Sequence, residues 1–139
     1  MVKRKKSFLW STLKSLVLLA VAGGLAWFAY AWIARERQFV VRMNAGMAAL
    51  SEERFQTALE IFEQLLKGLE PGRDADKIAS AGEAAARCHL ALAEDPARPL
   101  AESVEHYRAA ERLKPGIVDN PAIRRLLEKP AFPRSDSPK

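Results

Sequence analysis

The chain has one cysteine, Cys88, among 139 residues, so no internal disulfide can staple it. It has two histidines, and His89 is the neighbour of Cys88, so on a helix the two side chains point about 100° apart and do not share an ion. No hydroxyl nucleophile is paired with histidine in a glycine-flanked turn, and no glycine loop is built to cradle phosphate. The conspicuous acids are ordinary ones. Glu52, Glu53, Asp74 and Asp76 fall near expected helix starts, and Glu60 and Glu63 read as a solvated face. The expectation is therefore no enzyme, no cofactor, no metal site and no small-molecule substrate. β-branched residues are few and strict alternation is absent, which argues against strands and for an all-α fold.

Acidic residues are missing from the first 35 positions, and proline from the first 70. The first absence explains the formal charge of +5. Lys3, Arg4, Lys5, Lys6 and Lys14 supply five of the 22 basic residues, and the other 17 balance the 17 acids. The basicity belongs to a leader, so it speaks for membrane topology and against a nucleic-acid face.

The stretch directly after the leader organises the chain. Leu16 to Ala34, LVLLAVAGGLAWFAYAWIA, carries no charge. As a helix it would be about 28 Å long, close to the hydrocarbon thickness of a bilayer. Trp27, Phe28, Tyr30 and Trp32 crowd its far end, while Phe8 and Trp10 flank the near end, as suits the two interfaces of a span. The competing reading is a cleaved signal peptide, supported by the small-x-small pattern Ala29-Tyr30-Ala31. The run is longer than a usual signal core of about 7–15 residues, so an uncleaved anchor is expected. Five basic residues before the run against Arg35, Arg37 and Arg42 after it put the N-terminus in the cytoplasm and the rest outside it, periplasmic in a Gram-negative cell. Ala22, Ala26 and Ala29 share one face of the span, and Ala20 and Gly24 another; both would let a second helix approach closely. With no proline before Pro71 and no glycine between Leu25 and Ala45, one helix is expected from about Phe8 to Leu50.

Beyond the span, apolar residues recur at helical spacing. Phe39, Met43, Gly46, Met47 and Leu50 form the first stripe. Ser51 is expected to cap a second helix carrying Phe55, Ala58, Leu59, Phe62, Leu65, Leu66 and Leu69, stopped by Pro71-Gly72. A third helix starts near Asp74 or Asp76 and carries Ile78, Ala81, Ala84, Ala85, Cys88 and Leu92. A fourth runs from about Leu100 to Leu113, with Leu100, Val104, Tyr107 and Ala110 inward, and ends at Lys114-Pro115-Gly116. Asn120-Pro121 reads as the cap and first position of a short fifth helix, with Ile123, Leu126 and Leu127 on its apolar side.

Two successive helix pairs with these residues resemble tetratricopeptide repeats. Gly46, Phe55, Ala58 and Phe62 fall at the repeat's signature spacings in the first pair, and Tyr107, Ala110 and Pro115 in the second. Ala91 can stand for the small residue of the second pair's first helix, and Leu100 for the aromatic that opens its second. Leu65 and Ser103 replace usual alanines. Phe62 and Tyr107 lie 45 residues apart where the repeat length is about 34, so the loops carry insertions. Charge and hydropathy thus give a basic cytoplasmic leader (1–15) and a transmembrane helix (16–34), the resemblance a repeat domain of two helix pairs (35–116), and the short fifth helix a cap (117–129), followed by a polar tail (130–139), including Phe132, expected to be disordered. The resemblance also implies a groove that binds peptides or protein surfaces. Some members of that family clamp a terminal carboxylate; Asn44 falls at one clamp position, but His89 occupies its counterpart, and that specific activity is not implied here.

The functional expectation is a membrane-anchored protein–protein interaction module, an accessory or scaffold subunit of a membrane complex. Its partners would be proteins and the lipid bilayer, with no nucleic acid. The alternative is an exported soluble binding or chaperone module released after Ala31.

Overall fold

The computed structural model describes residues 3–128, with side chains from residue 13 onward. The side chains of Lys3, Arg4, Lys5, Lys6, Phe8 and Trp10, and the tail from Pro130 with Phe132, lie outside the described residues. Five helices and no strand are present among the described residues: α1 (Lys3–Ser51), α2 (Phe55–Lys67), α3 (Ala75–Ala93), α4 (Leu100–Leu113) and α5 (Pro121–Glu128). The chain divides into two units, Met1–Val40 and Val41–Lys139.

The described residues of the first unit belong to α1. This helix is long and apolar enough to cross a membrane, and none of its apolar window is buried in the protein. Trp27 is 73% exposed and Leu18 70%. A contiguous apolar surface of this kind is unfavourable in water and calls for lipid or another apolar partner. Ala20, Ala22, Gly24, Ala26 and Ala29 are all exposed, and a Cβ added at Gly23 or Gly24 would meet nothing.

The second unit begins with the last turns of α1. Gly46 and Ala49 face inward there, and Gly46 lies directly against the ring of Phe62 on α2. Phe62 and Ala58 are fully buried. Burying one Phe side chain contributes roughly 1.5–3 kcal/mol, so Phe62 anchors this end of the domain.

The turn between α1 and α2 departs from the expected cap. Ser51 is the last residue of α1, and its Oγ donates backward to the Ala48 carbonyl at 2.8 Å. Arg54 N–H donates to the Ala49 carbonyl at 2.9 Å and Glu53 N–H to that of Leu50 at 3.1 Å. These are the two bonds of a Schellman C-cap, with Glu53 in the left-handed region at φ 59°. A serine inside the helix satisfies its hydroxyl on the preceding turn and so does not cap the next helix. Pro71-Gly72 likewise does not stop α2: the helix ends at Lys67, with Gly68 as C-cap, and Leu69 lies beyond it.

α3 is packed on two sides, by α2 and by α4. Its buried residues form two adjacent helical stripes. One holds Ala81, Ala84, Ala85, Cys88 and Leu92; the other holds Gly82, Ala86, His89 and Ala93. Gly82 and His89 belong to the α4 side: a Cβ on Gly82 would lie 3.9 Å from the Leu113 carbonyl oxygen, and the His89 ring meets His106. Small residues on both stripes let α2 and α4 approach closely. The Cys88 thiol is fully buried, which pushes its pKa up to about 11, consistent with a small core residue.

The two contacts also set an antiparallel register in which each step back along α3 matches a step forward along α4. That register corrects the reading of Leu100. It pairs with Asp95, past the end of α3 at Ala93, and the side chain is 73% exposed. Val104 and Ala110 are buried as expected, and Tyr107 is half-buried. At the end of α4, Glu111 holds the next loop by accepting from Gly116 N–H at 2.7 Å and Val118 N–H at 3.3 Å. Asn120 caps α5, its Oδ1 accepting from Ala122 N–H at 2.9 Å, with Pro121 at the first position. α5 packs against α4.

Candidate functional site

A cleft of about 190 Å³ lies between the end of α1 and α3, lined by Met43, Met47, Ser80, Glu83, Ala84 and Arg87. Two methionines four residues apart present flexible, polarisable side chains on the same face of α1. On the facing helix α3, Ala84 is buried, and Ser80 and Arg87 are exposed. The cleft thus has one apolar wall and one polar wall.

Glu83 orders the polar wall. Its Oε1 lies 2.7 Å from Lys114 Nζ and 2.8 Å from Arg87 Nη2. The Lys114 hydrogen bond, then that from Arg87, holds the Glu83 carboxyl below its usual range. Arg87 is thereby oriented while its side chain stays 60% exposed. A guanidinium fixed in this way retains donors for a carboxylate or a backbone carbonyl. No group of three or more metal-ligating side chains occurs among the described residues.

The residues singled out from the sequence fall in different places. Asn44 is exposed on α1, adjacent to Met43 but outside the cleft lining. His89 does not line the cleft; it is buried on the other stripe of α3, against α4. Gly46 and Phe62 meet at the α1–α2 crossing, and Ala58 is buried one turn earlier on α2. Phe55 is half-buried at the start of α2, Pro115 is exposed, and Ala91 is only half-buried. Glu83 and Lys114 are not evident as a site in the sequence. The i,i+4 pair Glu83–Arg87 is visible there, but Lys114 joins it only through the α3–α4 register.

A second polar cluster joins α3, α4 and the loop between them. Nδ1 of His89 and Nδ1 of His106 are 2.9 Å apart. Arg98 Nη1 lies 3.3 Å from His106 Nε2 and 3.8 Å from Glu102 Oε2, while Arg98 Nε lies 3.7 Å from Asp95 Oδ2. Burial, then the neighbouring His106 and Arg112, lowers the His89 pKa to about 4. Burial, then Arg98, lowers that of His106, opposed by Glu102.

No family model, curated protein or solved structure matches the chain.

Proposed function

We propose that the chain is a membrane-anchored protein–protein interaction module of the tetratricopeptide-repeat type, acting as an accessory or scaffold subunit of a membrane complex. The span would be uncleaved, with the N-terminus in the cytoplasm and the helical domain outside it. The observation that carries this reading is the cleft itself: Met43 and Met47 on one helix face Ser80, Glu83 and Arg87 on the first helix of the next pair. A cleft with an apolar wall and an oriented guanidinium suits an extended segment of protein, whose side chains and carbonyls can use both walls. The glycine-against-phenylalanine crossing of α1 and α2 supports a repeat of this type, as do the close-packed small residues of α3. The exposed apolar surface of α1 supports the anchor.

The test is site-specific photocrosslinking from position 47, followed by gentle detergent purification and identification of the captured protein. Capture from position 47 but not from the solvent face of α2, such as Glu60, supports the cleft. Equal capture from both sites, or from neither, refutes it. The pattern Ala29-Tyr30-Ala31 favours a second reading, an exported module freed after Ala31. Intact mass separates the two, because loss of the first 31 residues would remove the anchor.

A further inference from the structure

We propose that His89 and His106 form a one-proton latch between α3 and α4, which opens when a second proton is added. Only the tautomers consistent with the neighbours are allowed, and these fix a direction. Arg98 can only donate, so His106 Nε2, at 3.3 Å from Arg98 Nη1, must accept. Neutral His106 then carries its proton on Nδ1 and donates it to His89 Nδ1 at 2.9 Å. His89 in turn carries its proton on Nε2. The chain of donors therefore runs from Arg98 through His106 to His89.

The rings meet head-on. Their centroids are 5.2 Å apart, longer than the 2.9 Å nitrogen separation by about two ring radii, so both Nδ1 atoms lie between the ring centres. This is the geometry of a shared proton. A chelated ion would need the two lone pairs to converge at a point about 2.0–2.1 Å from each nitrogen, off the line joining them.

A second proton has no place in this arrangement. On His89 Nδ1 it would confront the His106 N–H; on His106 Nε2 it would confront Arg98. Either site must lose its hydrogen bond to be filled. The charges that bear on the pair come from the α3–α4 loop and from α4: Arg98 and Arg112 oppose the added proton, Glu102 favours it, and Asp95 pairs with Arg98. Burial comes first in disfavouring the added charge on both rings; Arg112 on His89 and Arg98 on His106 add to it, and Glu102, 60% exposed at its side chain, opposes it only on His106. Both folded-state pKa values are depressed, so the latch contributes stability above the ordinary histidine pKa of 6.5 and loses it as pH falls toward about 4. The consequence is a conformational device: acid frees the α3–α4 loop and the start of α4.

The test uses the full-length chain in detergent micelles with 15N-labelled histidine. The protein has two histidines, so every imidazole signal belongs to the latch. The expected spectrum shows opposite tautomers, with the proton of His106 on Nδ1 and that of His89 on Nε2. Both rings should ionise together, below the ordinary histidine value, as the amides of 94–106 shift. Matching tautomers, or either ring ionising near its ordinary pKa with those amides unmoved, would overturn the proposal. His89→Gln keeps an acceptor for the His106 N–H but cannot be protonated, so the acid midpoint of the amide shifts should fall by about half a pH unit or more. An unchanged midpoint in that variant would also overturn it. If the variant does not fold, the tautomers of the native chain still decide.

Discussion

Gly46 and Phe62 meet so closely that a Cβ on residue 46 would lie 2.5 Å from Phe62 Cε1 and 2.7 Å from Cζ. Two effects compete in Gly46→Ala. Alanine should favour the helix by about 1 kcal/mol over glycine. Against that, the ring is fully buried and cannot swing away without displacing its neighbours. Overpacking a core of this density costs typically about 1–3 kcal/mol, so net destabilisation is expected. Gly72→Ala, where a Cβ meets nothing, is the control and should leave stability unchanged or slightly raised. Urea unfolding followed by helical circular dichroism distinguishes them; equal midpoints would show that the α1–α2 crossing is too loose for residue 46 to be felt.

Glu53 offers the opposite case. Its φ of 59° is left-handed, a conformation that costs a non-glycine residue roughly 1–2 kcal/mol. Glu53→Gly should raise stability by about 1 kcal/mol, because the Schellman bonds from Glu53 and Arg54 remain in place. Glu53→Ala should not, since alanine keeps the Cβ penalty. A glycine variant no more stable than the alanine variant would contradict the assigned turn.

Asp74 is buried at the start of α3, accepting from Glu70 N–H at 3.3 Å and lying 3.5 Å from Lys77 Nζ. Asp74→Ala should destabilise the domain by about 1–3 kcal/mol, the range for stranding a partly buried donor. Asp74→Asn should lose less, because its carbonyl oxygen can still accept. Thermal melts of the two variants check the order.

Glu83 has its carboxyl held low first by Lys114 and then by Arg87. The stabilisation is present above the ordinary carboxylate range and is lost as pH falls through the lowered value. Lys114→Met should therefore raise the Glu83 pKa toward its ordinary value, and Arg87→Met should raise it less. Carboxyl carbon shifts during an acid titration measure both. A larger effect from Arg87→Met would mean that Lys114 does not reach across from the end of α4.

These cases also separate what sequence pattern conveys from what it does not. Both ends of α4 and the Asn120-Pro121 start of α5 follow from local chemistry: proline before a helix, Pro-Gly after one, and an amide that caps its own next turn. Ser51 misleads because the same side chain can cap forward or bond backward. The choice depends on where α1 ends, and that is set by its packing on α2. Leu100 and His89 mislead for a related reason. Helical periodicity states which residues share a face, but not which neighbour that face meets. Leu100 shares the stripe of Val104 yet lies past the end of α3; His89 shares α3 with Ala84 yet faces α4. Glu83 and Lys114 are far apart in sequence, and only the α3–α4 register brings them together.

If the proposed scaffold role is right, two surfaces of one chain should act on the same assembly. The cleft is small, about 190 Å³, and contacts between membrane helices are worth only about 1–2 kcal/mol each in model peptides. Neither surface would hold a partner tightly alone. Joining them makes the second contact intramolecular, which can raise avidity by roughly 10²–10⁴. Ala22 and Ala26 are exposed on α1 and share one face of it. Replacing both with leucine preserves insertion while blocking close helix approach, so capture of the partner in detergent should drop. Met47→Glu should lower capture as well, by placing a charge on the apolar wall of the cleft. Loss with Met47→Glu alone would reduce the span to a tether. Loss with the leucine pair alone would move recognition into the membrane, and retention in both variants would remove the basis for an assembly subunit.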